Sequence, residues 1–187
     1  SAGATQAPPA LLFTASHGAE YFTPSTDQFL DQGALLLQDW PPGDPVTPGH
    51  CLAARDVSGN LQLAGMLAFS FACFGAGTPL LQDWVRPTGH RKPKPIALKP
   101  FVARLPQKLL AQGLVAFVGH VSRAWATSFL PGDQTGNFRT ALYQLLRGVP
   151  VGHALDDLNK SWVALNLGLN EWFTGVEDRS NAEVRSD

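Results

Sequence analysis

Cys73 and His17 are the residues of this chain whose types and spacing suit acyl-transfer chemistry. A thiolate attacks carbonyl carbon readily, and an imidazole within reach generates it from the thiol. Cys73 closes the apolar run Met66–Ala72, and His17 closes the apolar run Ala10–Ser16. The two lie 56 residues apart, each with glycine close behind, at Gly18 and Gly75. A tetrahedral intermediate needs N–H donors aimed at its oxyanion, and the backbone N–H groups of Gly18 and Cys73 are the candidates. Each residue alone has an ordinary explanation: a small buried hydrophobe for the cysteine, a polar cap for the histidine. Their conjunction at two strand ends is what points to a dyad. His120 also follows an apolar run and is the rival base. His17 ranks first because Gly18 follows it. Cys51 reads as a structural thiol, and His50, His90 and His153 have no clear partner.

The elements that must position the pair are apolar runs bounded by turn residues. Ala10–Ser16, Met66–Ala72 and Leu114–Gly119 predict three buried strands. Cys51–Val57 predicts a short strand, with a turn at Ser58-Gly59-Asn60. The Pro- and Gly-rich stretch from Thr23 to Gly49 reads as turns, Gly75–Pro79 as a loop, and Leu80–Lys99 as irregular. A helix is expected over Ala103–Gln112, with Leu105, Leu109 and Leu110 apolar and Gly113 as its stop. Asn137–Arg147 has helical spacing at Phe138, Leu142, Leu145 and Leu146 before Gly148, and a further helix is expected from about Gly152 to Leu167. Strands separated by helical segments predict an α/β domain with a mainly parallel sheet. In such sheets ligand sites gather at the carboxyl ends of the strands, where His17 and Cys73 stand. Three strands are few for such a sheet, so an N-terminal part of it is expected outside this chain.

Bulk properties narrow the function classes. The chain has 187 residues, 44% apolar and 16% charged, which fits one globular domain spanning 1–187 with a polar tail at 176–187. A net charge of −1 gives no footprint for nucleic acid or an anionic membrane. No apolar run approaches the roughly 20 residues of a membrane helix. Two cysteines are not a disulfide framework, and a reducing, cytoplasmic setting is the simpler expectation. No Cys-x-x-Cys or His-x-x-x-His spacing suggests structural zinc. Gly75-Ala-Gly77 lacks the Walker lysine and the dinucleotide fingerprint.

The local motifs resemble the caspase-like cysteine peptidases. That family pattern has Gln-Ala-Cys-x-Gly with a histidine roughly 50 residues upstream. Here Phe71-Ala72-Cys73-Phe74-Gly75 keeps Ala, Cys and Gly, and Ser16-His17-Gly18 matches the family's Ser-His-Gly. The closer resemblance is to bacterial relatives, the gingipain-like peptidases and the CHAT domain. It runs through Phe71–Pro79, Gly119–Trp125 and Leu145–Ala154, and covers roughly residues 10 to 165. The resemblance implies a caspase-like three-layer α/β/α sandwich. It implies a cysteine endopeptidase acting on protein or peptide substrates without metal or organic cofactor, His17 serving as base and acid and Cys73 forming the thioester. It also implies a C-terminal portion of a longer protein, regulated by a fused module or a partner chain.

Specificity departs from the caspase pattern. The caspase glutamine that helps to bind a substrate Asp is Phe71 here, which alternation sets on the same strand face as Cys73, as an apolar wall. The gingipain resemblance suggests a basic substrate residue, which wants a buried carboxylate. Asp83 and Asp56 are the candidates. Ser122, Arg123 and Trp125 follow the third strand and are candidate groove residues, with Trp125 offering a broad apolar face. Two rivals remain: a non-catalytic interaction domain of the same fold, and a Cys/His amidase or transferase on an unrelated α/β fold.

Overall fold

The computed structural model describes residues 10–22, 25–41, 43–82, 94–125, 134–161, 163–165 and 167–168. The element order is β1 (Leu11–Ala15), α1 (Thr26–Asp31), β2 (Leu35–Leu36), β3 (Cys51–Leu52), β4 (Leu67–Phe71), β5 (Gly77–Thr78), β6 (Phe101–Val102), α2 (Arg104–Ala111), β7 (Ala116–Gly119), α3 (Gln134–Leu146) and α4 (Val151–Ala154). The chain divides into two compact units, Ser1–Arg86 with His90–Ala126, and Thr127–Asp187 with Pro87–Gly89.

The first unit is an α/β arrangement built on a three-stranded parallel sheet of order β1-β4-β7. The three strands are those expected from the apolar runs, but they are not equally buried. β4 is buried along nearly its whole length, whereas Leu12 and Phe13 of β1 are 40% and 44% exposed and β7 is half-buried. Among the described residues β1 and β7 each bond one neighbour, so the middle strand alone is covered on both sides.

Alternation along β4 separates two faces. Met66, Ala68 and Ala72 join Leu105 and Leu109 of α2, with Leu35, Leu63 and Leu114, in one apolar cluster. Burying Leu105 and Leu109 contributes about 1.5–3 kcal/mol each. Phe69 and Phe71 lie on the opposite face, where Phe69 stacks on Phe13 at 5.9 Å between ring centroids. Ser70, buried among apolar neighbours, accepts a hydrogen bond from the Thr14 hydroxyl at 3.0 Å. α2 tolerates Pro106 because its first turn has no intrahelical use for that N–H. Gly113, at φ 97°, ends it: Gly113 N–H donates to Leu110 and Leu114 N–H to Leu109. Leu110, expected with the apolar set, is 43% exposed, because it falls off the stripe defined by Leu105 and Leu109.

Several segments expected as turns contain regular structure. α1 and β2 fall within the Thr23–Gly49 stretch, and Ser25 caps α1 by accepting the Asp27 N–H at 3.2 Å. β5 lies in the expected Gly75–Pro79 loop and pairs antiparallel with β6. The Leu80–Lys99 segment carries an antiparallel bridge, Leu81 to Pro95. Conversely, the Cys51–Val57 strand stops at Leu52. Ala54–Asp56 turns into a 3-10 helix because the Asp56 carboxylate accepts the Ala53 N–H at 2.8 Å. A second cluster, Ala19, Ala34, Leu36, Cys51 and Ala53, packs with Tyr21, Trp40 and Val46 beneath the β2–β3 pair.

In the second unit, α3 covers the expected Asn137–Arg147 helix up to Leu146 and starts three residues earlier. Leu145 is 3% exposed and Leu146 63% exposed, although both were expected on the apolar face. The expected Gly152–Leu167 helix begins as α4 and resumes over 156–161 after a turn at Leu155. Asn137 donates to the Ser161 hydroxyl at 2.7 Å, tying the two helical segments together. The polar tail at 176–187 lies outside the described residues. Among the described residues no helix is long and apolar enough to cross a membrane.

Candidate active site at the carboxyl edge of the sheet

The register of the sheet decides which residues meet. Ala15 of β1 is level with Phe71 of β4, an offset of 56 residues, and the Ser16 N–H continues the ladder to the Phe71 carbonyl at 3.1 Å. Two residues further on, the same offset sets His17 beside Cys73. On the other side Ser70 is level with Gly119, so His120 comes level with Phe71, one pleat below Cys73. Its ring meets Phe71 edge-on at 4.9 Å, and burial pushes the imidazole below its ordinary value of 6.5. His120 packs on Phe71, and the backbone that lies against Cys73 is that of Gly18, directly after His17.

The chain packs backbone to backbone around Cys73. A Cβ added at Gly18 would lie 1.9 Å from the Cys73 carbonyl oxygen and 3.0 Å from its nitrogen. No side chain fits there, so glycine after His17 is a steric requirement of the contact. Gly33, at φ 76°, presses in the same way on the Phe74 carbonyl, 2.1 Å from its ideal Cβ. Gly18 bridges Leu35 in antiparallel fashion, flanked by the bonds Leu36 N–H to His17 O and Ala19 N–H to Ala34 O. This is the widely spaced position of the ladder, so the Gly18 N–H points away from β2. Among the described residues no backbone acceptor takes the Cys73 N–H. These are the two donors expected for the oxyanion.

Phe74, directly after Cys73, has φ 57°. For a bulky side chain this left-handed conformation costs about 1–3 kcal/mol and marks a strained turn. It is held by burial, with Phe74 1% exposed, by its N–H donating to the Ser122 carbonyl at 2.8 Å, and by the Gly75 N–H donating to Ala72 at 3.2 Å. The strand ends at Phe71, and Cys73 in the turn two residues on has its thiol half-buried, donating to the Ala124 carbonyl at 3.5 Å. His17 is exposed, with its ring edge-on to Trp40 at 6.2 Å. Trp40 is itself fixed by a hydrogen bond from its indole N–H to the Asp44 carbonyl at 3.1 Å.

The other expected residues fall in distinct places. Phe71 is 7% exposed and packs on His120, so it forms the floor of the site. Ser122 contributes its backbone carbonyl to Phe74. Arg123 pairs with Glu20, and its guanidinium sits 5.8 Å from the Phe74 ring centroid. Trp125 is 47% exposed. Asp83 and His90 lie outside the described residues. Asp56 is occupied in capping the 3-10 turn. Cys51 is free and buried, and burial is the main cause pushing its thiol up. His50 meets the Thr47 hydroxyl at 3.1 Å, and His153 meets Asp156 at 3.5 Å.

Glu20 and Trp40 were not singled out from the sequence. Glu20 carried a faint signal, as the one acidic residue between His17 and Asp27. Trp40, ahead of Pro41-Pro42, carried none, because its approach to His17 depends on how the β2–β3 connection folds back. No protein-family model, no curated protein and no solved structure matches this chain.

Proposed function

We propose that this chain is a cysteine endopeptidase of the caspase–gingipain type, resembling the CHAT domain, that cleaves protein substrates through Cys73 and His17. The observation that carries the reading is the left-handed turn at Phe74 joined to the close contact of Gly18 on Cys73. Strain of this kind persists where the surroundings over-determine it, and such sites are commonly functional. A structural cysteine needs neither a strained residue behind it nor a glycine pressed on its carbonyl.

In the proposed reaction His17 takes the thiol proton and the Cys73 sulfur attacks the scissile carbonyl carbon. The N–H groups of Gly18 and Cys73 receive the oxyanion. The intermediate collapses as His17 returns the proton to the leaving amine, giving a thioester on Cys73. Water then attacks the thioester with His17 as base, releasing the acid and restoring the thiol. No metal or organic cofactor takes part in these steps. Trp125, next to the Ala124 carbonyl that accepts the Cys73 thiol, is the proposed apolar face for substrate, and Asp83 is the proposed carboxylate for a basic substrate residue. The full fold is proposed as a caspase-like α/β/α sandwich within a longer, cytoplasmic protein whose activity a fused module or partner chain regulates.

The test is irreversible labelling with peptidyl electrophiles carrying Arg, Leu or Asp before the warhead, followed by peptide mapping, on wild type, Cys73→Ala and His17→Ala. Labelling confined to Cys73 and lost with His17→Ala is expected, and the preferred side chain identifies the pocket. Equal labelling of Cys51, or labelling indifferent to His17, contradicts the dyad and favours a non-catalytic interaction domain of this fold.

A further inference from the structure

Arg123 stands among the expected groove residues, yet its geometry differs from that of a side chain waiting for substrate. Its guanidinium makes a two-pronged pair with the Glu20 carboxylate, one contact being Nε to Oε2 at 3.3 Å. The partners are 103 residues apart in sequence, and both side chains are about three-quarters buried. Glu20 lies three residues beyond His17, and Arg123 lies four beyond the end of β7, so the pair joins the loop carrying the imidazole to the loop after the third strand. The guanidinium also lies 5.8 Å from the centroid of the Phe74 ring. Residues flanking Arg123 touch the same turn: the Ser122 carbonyl accepts the Phe74 N–H, and the Ala124 carbonyl accepts the Cys73 thiol.

We infer that Glu20 and Arg123 form a positioning clamp that holds the His17 loop and the strained Cys73–Phe74 turn in reacting geometry. The inference rests on the proposed peptidase reading and reassigns Arg123 from substrate contact to positioning. The guanidinium is already committed to a planar carboxylate partner that satisfies its fork. It fixes three loops that no continuous element connects. The cost of Phe74's left-handed backbone is offset by the turn bonds already described and, from outside the turn, by the Arg123 guanidinium near its ring. Loss of the clamp shifts the nucleophile and base relative to one another, and a displacement of about 1 Å can slow a reaction by about 100-fold. Capture of substrate, which depends on the groove, is much less affected.

The experiment measures inactivation of Cys73 by the best peptidyl electrophile, resolved into a binding constant and a maximal rate. It compares wild type, Glu20→Gln, Arg123→Gln and the double exchange Glu20→Arg with Arg123→Glu, with thermal melting of each. The single variants are expected to lose about 10- to 100-fold in maximal rate with the binding constant within about threefold. The exchange, which restores an opposite-charge pair, recovers at least about a tenth of the wild-type rate. A maximal rate unchanged in both single variants overturns the clamp. So does a loss confined to the binding constant, which returns Arg123 to substrate contact, or an exchange no better than the singles at equal melting temperature. The wild type is read first: if its labelling is indifferent to His17→Ala, the peptidase reading fails and takes the clamp's positioning role with it. His17-dependent labelling that the clamp variants leave intact refutes the clamp alone.

Discussion

The two cysteines of this chain are chemically identical and physically opposite. Cys51 lies in β3 inside a small apolar cluster, 4% exposed, with burial pushing its thiol up. Cys73 follows the end of β4, half-buried, with its thiol on a backbone carbonyl and a strained residue behind it. Both regions contain an Arg–carboxylate pair between segments distant along the chain. Near Cys51 it is Arg55 with Asp31, and Arg55 also donates to the Pro48 carbonyl at 3.2 Å. Near Cys73 it is Arg123 with Glu20. The first pair lies beside a two-stranded ribbon that needs fixing to the body of the unit. The second joins loops that meet only around the turn after β4. In the proposed reading the thiol at the turn after the sheet is the nucleophile, and the thiol packed in the cluster is structural.

The regions are also linked. Ala19, two residues after His17, packs in the same cluster as Cys51, so the inert thiol is part of the bed on which the His17 loop lies.

The largest effect that breaks the comparison is expected from Cys73→Ala, which abolishes His17-dependent labelling, a loss of about 1,000-fold or more. Cys51→Ala is expected to leave that labelling within about threefold and to cost about 1 kcal/mol in denaturant unfolding, from the lost packing of one sulfur. Next in size is Gly18→Ala. Its Cβ would fall 1.9 Å from the Cys73 carbonyl oxygen, and the obstruction is backbone, so the two loops must separate. Labelling rate is expected to fall by about 100-fold, with far-ultraviolet circular dichroism showing the sheet retained.

A smaller and opposite effect is expected at Arg55→Ala. It leaves Asp31, 7% exposed, without its partner. Unpaired buried charges cost about 3–5 kcal/mol. Arg55 is itself 40% exposed and water screens the pair, so about 2 kcal/mol of stability is the expected loss in urea unfolding. The labelling rate per folded molecule should stay near wild type, because the pair does not touch the Cys73 turn.

The smallest effects concern pH, and they divide the two regions. Burial raises the Cys51 thiol above its ordinary value of 9.0 and the Tyr21 phenol above 10.0. Their folded forms hold protons that the unfolded chain releases, so stability is full below about pH 9 and falls as pH rises beyond it. On the Cys73 side, burial lowers His120 below 6.5. The unfolded chain then binds the proton more readily, so stability is full above about pH 6.5 and falls as pH drops toward the folded value. Thermal melting across pH should show both limbs. His120→Asn should flatten the acid limb, and Tyr21→Phe should reduce the alkaline one.

Much of this was legible in the sequence because it depends on local pattern. The runs Ala10–Ser16, Met66–Ala72 and Leu114–Gly119 are apolar enough to be strands wherever they fall, and Gly113 stops a helix by its own backbone freedom. The offset of 56 between His17 and Cys73 was visible as a number, and its meaning required parallel strands in one register. The short elements were not legible. α1 has six residues and β2, β3, β5 and β6 two each, too few for a period to emerge from the sequence. They form because neighbours distant along the chain supply their hydrogen bonds.

The sequence by itself determined which residues are the candidates for chemistry, the three strands they follow and the glycine after His17. It could not determine that β4 is the middle strand, that His120 packs on Phe71, or that Arg123 is committed to Glu20. Strand propensity and apolar pattern are properties of neighbouring residues. Register, left-handed strain at Phe74 and an ion pair across 103 residues are decided only when separate segments compete for the same space.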